Sequence, residues 1–238
     1  MTLFHRRKHR SIQNSQTRNY LQHKLPKMLS SLTIAVLSCL IVVASGQATS
    51  MIPLAYSGYA FHRGNTSSRT TVEYFIDLTC SACLDSWPTL SKVYDTYKEH
   101  VHFMYRVFPL PYHQQAFVVS KAAQVVFAAG NQDAVFTFMD TAFANQAEIY
   151  NSATADMTYN QVVDLVSTWA VDGTGGTTEQ YTQLMNSSDH LGSQIEMTTR
   201  YMWKYVAIQG VLGTPMFNID GLKVGGLDTF EDWAAALD

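Results

Sequence analysis

The sequence predicts an α/β fold in which a strand–helix–strand unit is separated from a closing strand–strand–helix unit by a long helical block. Three observations predict it. Runs rich in β-branched and aromatic residues at 71–78 and 101–107 flank a helical stretch. Helical periodicity then persists from about Gln114 to Gln209. Strand character returns at Thr214 beside an Asp220-Gly221 turn, and a final helical stretch follows.

Taken in order, residues 51–70 read as a turn-rich leading segment with Gly58, Gly64 and a polar Asn65–Arg69 turn. Thr71–Leu78 reads as the first strand. A helix follows from Cys80-Ser81-Ala82-Cys83 to about Glu99, with Pro88 expected to kink it by removing a backbone donor. Val101–Val107 is a second strand, and the strand–helix–strand order makes the two parallel. Pro109 and Pro111 interrupt the pattern. Ala116–Ala129 then reads as a helix stopped by Gly130. Asp133–Tyr150 reads as one helix carrying Val135, Phe136, Phe138, Met139 and Phe143 on its core face. Thr158-x-x-Gln161 and Thr177-x-x-Gln180 resemble capping boxes that open two more helices. The Gly-rich 171–176 stretch follows a helix instead of a strand, so it reads as a loop and not as a phosphate cradle. The last helix of the block spans about Ser188 to Ile208. Asp220-Gly221 between short apolar runs signals a hairpin of Thr214–Ile219 with Leu222–Val224, and Thr229–Leu237 closes the chain as a helix.

The first fifty residues differ from the rest. They hold seven of the chain's 16 basic residues and none of its 19 acidic ones. Leu32–Ala44 is apolar and small residues follow it, Ser45-Gly46-Gln47-Ala48, which is a secretory signal pattern. A cleaved signal and an uncleaved anchor are both open readings. Each keeps the basic flank cytoplasmic and exports the remainder, to a secreted, periplasmic or endomembrane-lumen compartment where disulfides persist. Two regions are therefore expected: a basic segment at 1–50, and a folded domain at 51–238 whose helical insertion covers about 114–209. Without the leader the chain carries about −10 charges, a poor match for nucleic acid. Any membrane contact would run through the leader if it is uncleaved.

Of three cysteines, Cys39 lies in the leader, so Cys80 and Cys83 are the one pair in the folded domain. Three residues apart, they are too local to staple a fold. Placed at a helix start, they suit redox exchange. Cys80 would sit beside the unpaired N–H groups and positive dipole end of the helix, which favour thiolate over thiol. Cys83, nearly a turn further, is expected to be the more buried. A zinc site is the competing reading. It lacks a second cysteine pair and would need His100, His102 or His113 to converge. Asp77 is open to two readings, orienting the loop before Cys80 or merely forming a turn. His113 reads as a helix-start or loop histidine that could influence the site. Asn65 and Asn186 match the glycosylation sequon.

The order of elements and four short segments resemble the DsbA-like thiol-disulfide oxidoreductases of the thioredoxin superfamily. These segments are Phe75-Ile-Asp77-Leu-Thr-Cys80-Ser-Ala-Cys83, Pro88 in the following helix, Arg106-Val-Phe-Pro-Leu-Pro-Tyr-His113, and Val211-Leu-Gly-Thr214-Pro215. The resemblance covers about 55–238. It implies a thioredoxin-like fold with an inserted helical block, a redox disulfide Cys80–Cys83 in place of any cofactor, and a cis Thr214–Pro215 bond beside it where extended substrate pairs. A trans proline at a strand edge is the alternative. Implied partners are protein thiols or disulfides and an unidentified redox recycling partner.

The chain departs from that family in its dipeptide. Ser81 and Ala82 stand where proline and histidine are common, so they tune the pair differently and point to a weaker oxidant than the strongest members. Tyr74 stands where thioredoxins keep a buried acid, with Glu73 and Asp77 expected on the opposite face. Oxidase is the favoured direction. Its rivals are a reductase or isomerase, a thioredoxin-fold binding module, and a kappa-type glutathione transferase or isomerase, against which Cys83 counts.

Overall fold

The computed structural model describes residues 60–130, 132–186 and 190–238. The leader, with Cys39, lies outside the described residues. Five strands form one sheet in the order β1-β3-β2-β4-β5. They are β1 (Phe61–Gly64), β2 (Thr71–Ile76), β3 (His102–Val107), β4 (Met216–Ile219) and β5 (Leu222–Val224). β2 and β3 run parallel, in register from Thr71 opposite His102 to Ile76 opposite Val107. Every other pairing is antiparallel. The parallel pair is bridged by α1 (Ser81–Tyr97), as a strand–helix–strand unit requires.

β1 corrects the reading of 51–70 as turns alone. Its four residues hold a single hydrophobic side chain, Phe61, so no alternation announces it. Pairing with β3 makes it a strand. Gly64 ends it at φ 79°, where a Cβ would meet the Val101 carbonyl at 2.5 Å.

Between β3 and β4 lie α2 (Ala116–Ala129), α3 (Gln132–Ala144), a 3-10 turn (Gln146–Ile149), α4 (Tyr159–Thr174), α5 (Thr178–Asn186) and α6 (His190–Ile208). The expected single helix over 133–150 therefore breaks at Asn145. Thr158 and Gln161 make a reciprocal capping box, and Thr177 and Gln180 exchange the same two bonds. The loop expected at 171–176 is largely helix. α4 runs through Gly173 and stops only at Gly175, whose φ of 70° takes the left-handed cap that glycine adopts without penalty. Met216–Ile219 and Leu222–Val224 form the hairpin, with Asp220 and Gly221 both at positive φ, a type I′ turn. α7 (Phe230–Leu237) is opened by a Thr229–Asp232 capping box.

Strand alternation sorts the two faces. Val72, Tyr74, Ile76, Phe103, Tyr105 and Phe217 point one way, where Trp87 of α1, Phe136 of α3 and Trp233 of α7 meet them edge-on. Glu73, Arg106 and Asn218 point the other way. There Glu73 accepts from Arg106 at 2.7 Å and Asn218 at 3.1 Å, and the guanidinium stacks on Tyr205 of α6 at 4.2 Å. The core is continuous from this sheet into the block, through Val119, Val126, Phe138 and Met139. No helix among the described residues is long and apolar enough to cross a membrane.

Candidate active site

β2 ends at Ile76 and the chain turns over 77–80 before α1 begins. Cys80 is the N-cap of α1, in extended conformation with φ −86° and ψ 124°, and its own N–H is held by the Asp77 carbonyl at 3.1 Å. A Ser or Asp cap would have used its side chain to satisfy the first-turn N–H groups. Cys80 makes no such bond. The N–H groups of Ala82 and Cys83 are left to act on the sulfur. Cys83, one turn in, is fully buried, whereas Cys80 keeps 8 % of its surface. Both are free thiols, so the structure is the dithiol form.

The two thiols are pushed in opposite directions. Cys80 falls from its ordinary value of 9.0 to about 5, chiefly because the Cys83 thiol donates to its sulfur. Burial works against this, and the Thr214 hydroxyl and the backbone N–H groups of Cys83 and Ala82 work for it. Cys83 rises well above 9.0, mainly through burial, then through its bond to Cys80 and the nearby negative charge. The Asp77 N–H also points at the Cys83 sulfur, at 3.4 Å.

Thr214 reaches this place from 134 residues away, with its carbonyl oxygen 3.5 Å from the Cys80 sulfur and a cis bond to Pro215. Its hydroxyl is buried and makes no hydrogen bond of ordinary geometry, yet it lies close enough to both sulfurs to lower their pKa values. Ser81 and Ala82 are exposed at the mouth of the site. Beside them opens a groove of about 680 Å³, lined by Ala82, Asp85, Pro215, Met216, Leu227 and Asp228.

Asp77 is far more than a turn former. Fully buried, it accepts four hydrogen bonds: from the Thr79 N–H (2.9 Å), the Thr79 hydroxyl (2.7 Å), the Leu110 N–H (3.0 Å) and His113 Nδ1 (2.8 Å). His113 thus joins the site through Asp77. His102 instead pairs with His62 on the neighbouring strand at 2.9 Å. Among the described residues no group of three or more His, Cys, Asp or Glu side chains converges as metal ligands. Tyr74 fills the position of the thioredoxin acid with a buried phenol whose pKa burial drives well above 10.0.

Sequence reasoning missed Gln146. Its side-chain amide nitrogen donates to the carbonyls of Leu78 and Cys80, each at 3.0 Å, and Tyr150 donates to its oxygen at 2.8 Å. This contact explains the break after α3. A straight helix would carry Gln146 past the active-site turn, whereas the 3-10 turn brings it in. No local signal marks such a residue, because its partners lie 66 and 68 positions upstream.

A thioredoxin family model, Thioredoxin_4, matches residues 57–238. No curated protein sequence matches the chain significantly. Several solved structures share the fold. A Pseudomonas syringae protein, described provisionally as a protein-disulfide isomerase, aligns over 75 % of this chain and 98 % of its own, at 16 % identity and TM-score 0.63. BdbD from Bacillus subtilis aligns over 75 % and 91 %, at 16 % identity and TM-score 0.57. The thiol-disulfide exchange protein alpha-DsbA2 from Wolbachia pipientis aligns over 75 % and 86 %, at 17 % identity and TM-score 0.58. With a family match over most of its length and the inserted-helix fold of these structures, this chain belongs to the thioredoxin family and has the fold of its DsbA-like members.

Proposed function

We propose that this chain is an exported thiol-disulfide oxidoreductase that oxidises cysteine pairs in proteins, with Cys80 as the exchanging cysteine and Cys83 as its partner. One observation carries the reading: Cys80 caps α1 beside Thr214 with Cys83 fully buried one turn in, an arrangement that lowers Cys80 to about 5 and pushes Cys83 well above 9.0. A cysteine of low pKa is a good leaving group, and a stabilised thiolate favours the reduced enzyme, which makes the disulfide form an oxidant.

In the oxidised enzyme a substrate thiolate attacks Cys80 Sγ, forming a mixed disulfide and breaking the Cys80–Cys83 bond. Cys83 leaves with the electron pair and, with its raised pKa, takes up a proton. A second substrate thiolate then attacks the substrate sulfur of the mixed disulfide, and Cys80 leaves as thiolate. The substrate has lost two electrons and two protons, and the enzyme has gained both electrons. A redox partner of oxidising character must restore the disulfide.

Thr214 contributes its hydroxyl to the thiolate and, with Pro215, one wall of the groove that receives an extended chain. Asp77 holds the turn, and Ser81 and Ala82, lacking a donor as strong as an imidazolium, moderate the potential. The basic, apolar character of residues 1–50 supports export, and the leader is the one segment expected to touch a membrane. The test is oxidation of a reduced, unfolded substrate protein by stoichiometric oxidised enzyme. Wild type should transfer its disulfide and Cys80→Ser should not. Equal inertness, with Cys80 resisting alkylation near neutral pH, would overturn the redox reading and leave a binding module.

A further inference from the structure

The active-site turn is gripped by the helical block through one side chain that the exchange chemistry does not itself use. Gln146 is 1 % exposed and spends both amide hydrogens on backbone carbonyls two residues apart, Leu78 and Cys80. The Cys80 oxygen also accepts from the Cys83 and Leu84 N–H groups, each at 3.1 Å. Three donors therefore converge on the carbonyl of the residue that carries the reactive sulfur. With Leu78 fixed by the same amide, the peptides between them have little freedom to turn.

The grip is itself supported. Tyr150 donates to the Gln146 oxygen at 2.8 Å, which settles the amide's orientation with nitrogen toward the turn. The next residue, Asn151, donates to the Tyr112 carbonyl at 2.9 Å and accepts from the Gln114 N–H at 2.9 Å. Tyr112 and Gln114 flank His113, the residue that reaches Asp77 on the other side of the same turn. The block thus closes on residues 77–80 from two directions, and Asn151 ties the two arms together.

We infer that Gln146, held by Tyr150, is a positioning residue through which the helical insertion sets the direction of the Cys80 side chain against the donors that stabilise its thiolate. The chemistry is specific to an amide. Its two N–H bonds hold the Leu78 and Cys80 carbonyls, and so the peptides between them, in one orientation. An isosteric side chain without donors leaves Leu78 O buried and unpaired and frees the turn to rotate. A carboxylate in the same place repels both carbonyls and adds a charge near the thiolate. The inference deepens the redox reading of the site and rests on it.

The experiment is the pH profile of Cys80 alkylation by iodoacetamide in the reduced full chain, for wild type, Gln146→Met, Gln146→Glu and Tyr150→Phe, each with a urea unfolding curve. Wild type should show a midpoint near 5. Gln146→Met should raise it by roughly one unit, about a tenfold loss of thiolate where Cys80 is mostly protonated, and Gln146→Glu by more. Tyr150→Phe, which keeps the packing and loses one bond, should shift it in the same direction by less. A wild-type midpoint at an ordinary thiol value would sink the function proposed above, not this inference alone. A wild-type midpoint near 5 with all three folded variants unchanged, even if less stable, would overturn the inference and leave Gln146 a structural clamp. If Gln146→Met does not fold, Tyr150→Phe and Gln146→Glu decide by the same criterion.

Discussion

The split between the two thiols makes the reduction potential depend on pH in a way that can be worked out in advance. The perturbation is pH alone, between 4 and 8. Cys80 has a lower pKa in the folded dithiol than an ordinary thiol has, about 5 against 9.0. Ionisation therefore stabilises the folded dithiol. That stabilisation is complete above pH 9, grows smaller as pH falls, and is lost through about 5. At pH 7 it amounts to roughly 100-fold, or about 2.7 kcal/mol. For a two-electron couple at about 30 mV per tenfold, this raises the potential by about 60 mV over the same pair with ordinary thiols. The slope carries the sharper signature. While Cys80 is ionised and Cys83 is protonated, reduction takes up one proton for two electrons, so the potential falls by about 30 mV per pH unit. Below about pH 5 both thiols protonate and the slope doubles to about 60 mV. The assay is equilibration against glutathione buffers of known ratio, with acid quenching and alkylation to count thiols. A slope near 60 mV per unit throughout pH 6–8 would mean that Cys80 is protonated there, and would refute the reasoning.

Two substitutions test contacts at the site and on the opposite face of the sheet. Thr214→Val keeps the shape and removes the hydroxyl. It should raise the Cys80 alkylation midpoint by roughly one unit and lower the potential by about 30 mV, and an unchanged midpoint would remove Thr214 from the thiolate's donors. Arg106→Met leaves the Glu73 carboxylate on a nearly buried face with Asn218 as its remaining partner, where Arg106 now sits at 2.6 Å. It should cost about 3–5 kcal/mol in urea unfolding, and changing both partners to apolar residues should recover much of it. A loss below about 1 kcal/mol would mark the pair as effectively solvated.

How much of this was legible depended on how far apart the cooperating residues lie. The capping boxes at Thr158 and Thr177 and the Asp220-Gly221 turn are closed within four residues, so their chemistry is written side by side. The reactive pair was legible for the same reason, since a strand end, an N-cap cysteine and a helix are consecutive. β1 was not. Its pattern is too short to alternate, and its strand pairing is with β3, about forty residues downstream. The break at Asn145 ran against a good helical pattern, because a buried amide bond to the active-site turn outweighed one more helical turn. Asp77 was visible as a candidate but not as a hub, for two of its four donors, Leu110 and His113, arrive from beyond β3.

Residue order places the two thiols at the start of their helix, between the halves of a thioredoxin fold, because helix starts, strand runs and turns are local free-energy choices. How unlike the two thiols are depends on packing between distant parts of the chain. That difference arises within a few ångströms of sulfur: the Cys83 thiol donates to Cys80, and the walls of the core bury Cys83 while Cys80 stays nearer the surface. Burial and hydrogen bonding act at those distances, and folding, not chain order, packs the walls around Cys83.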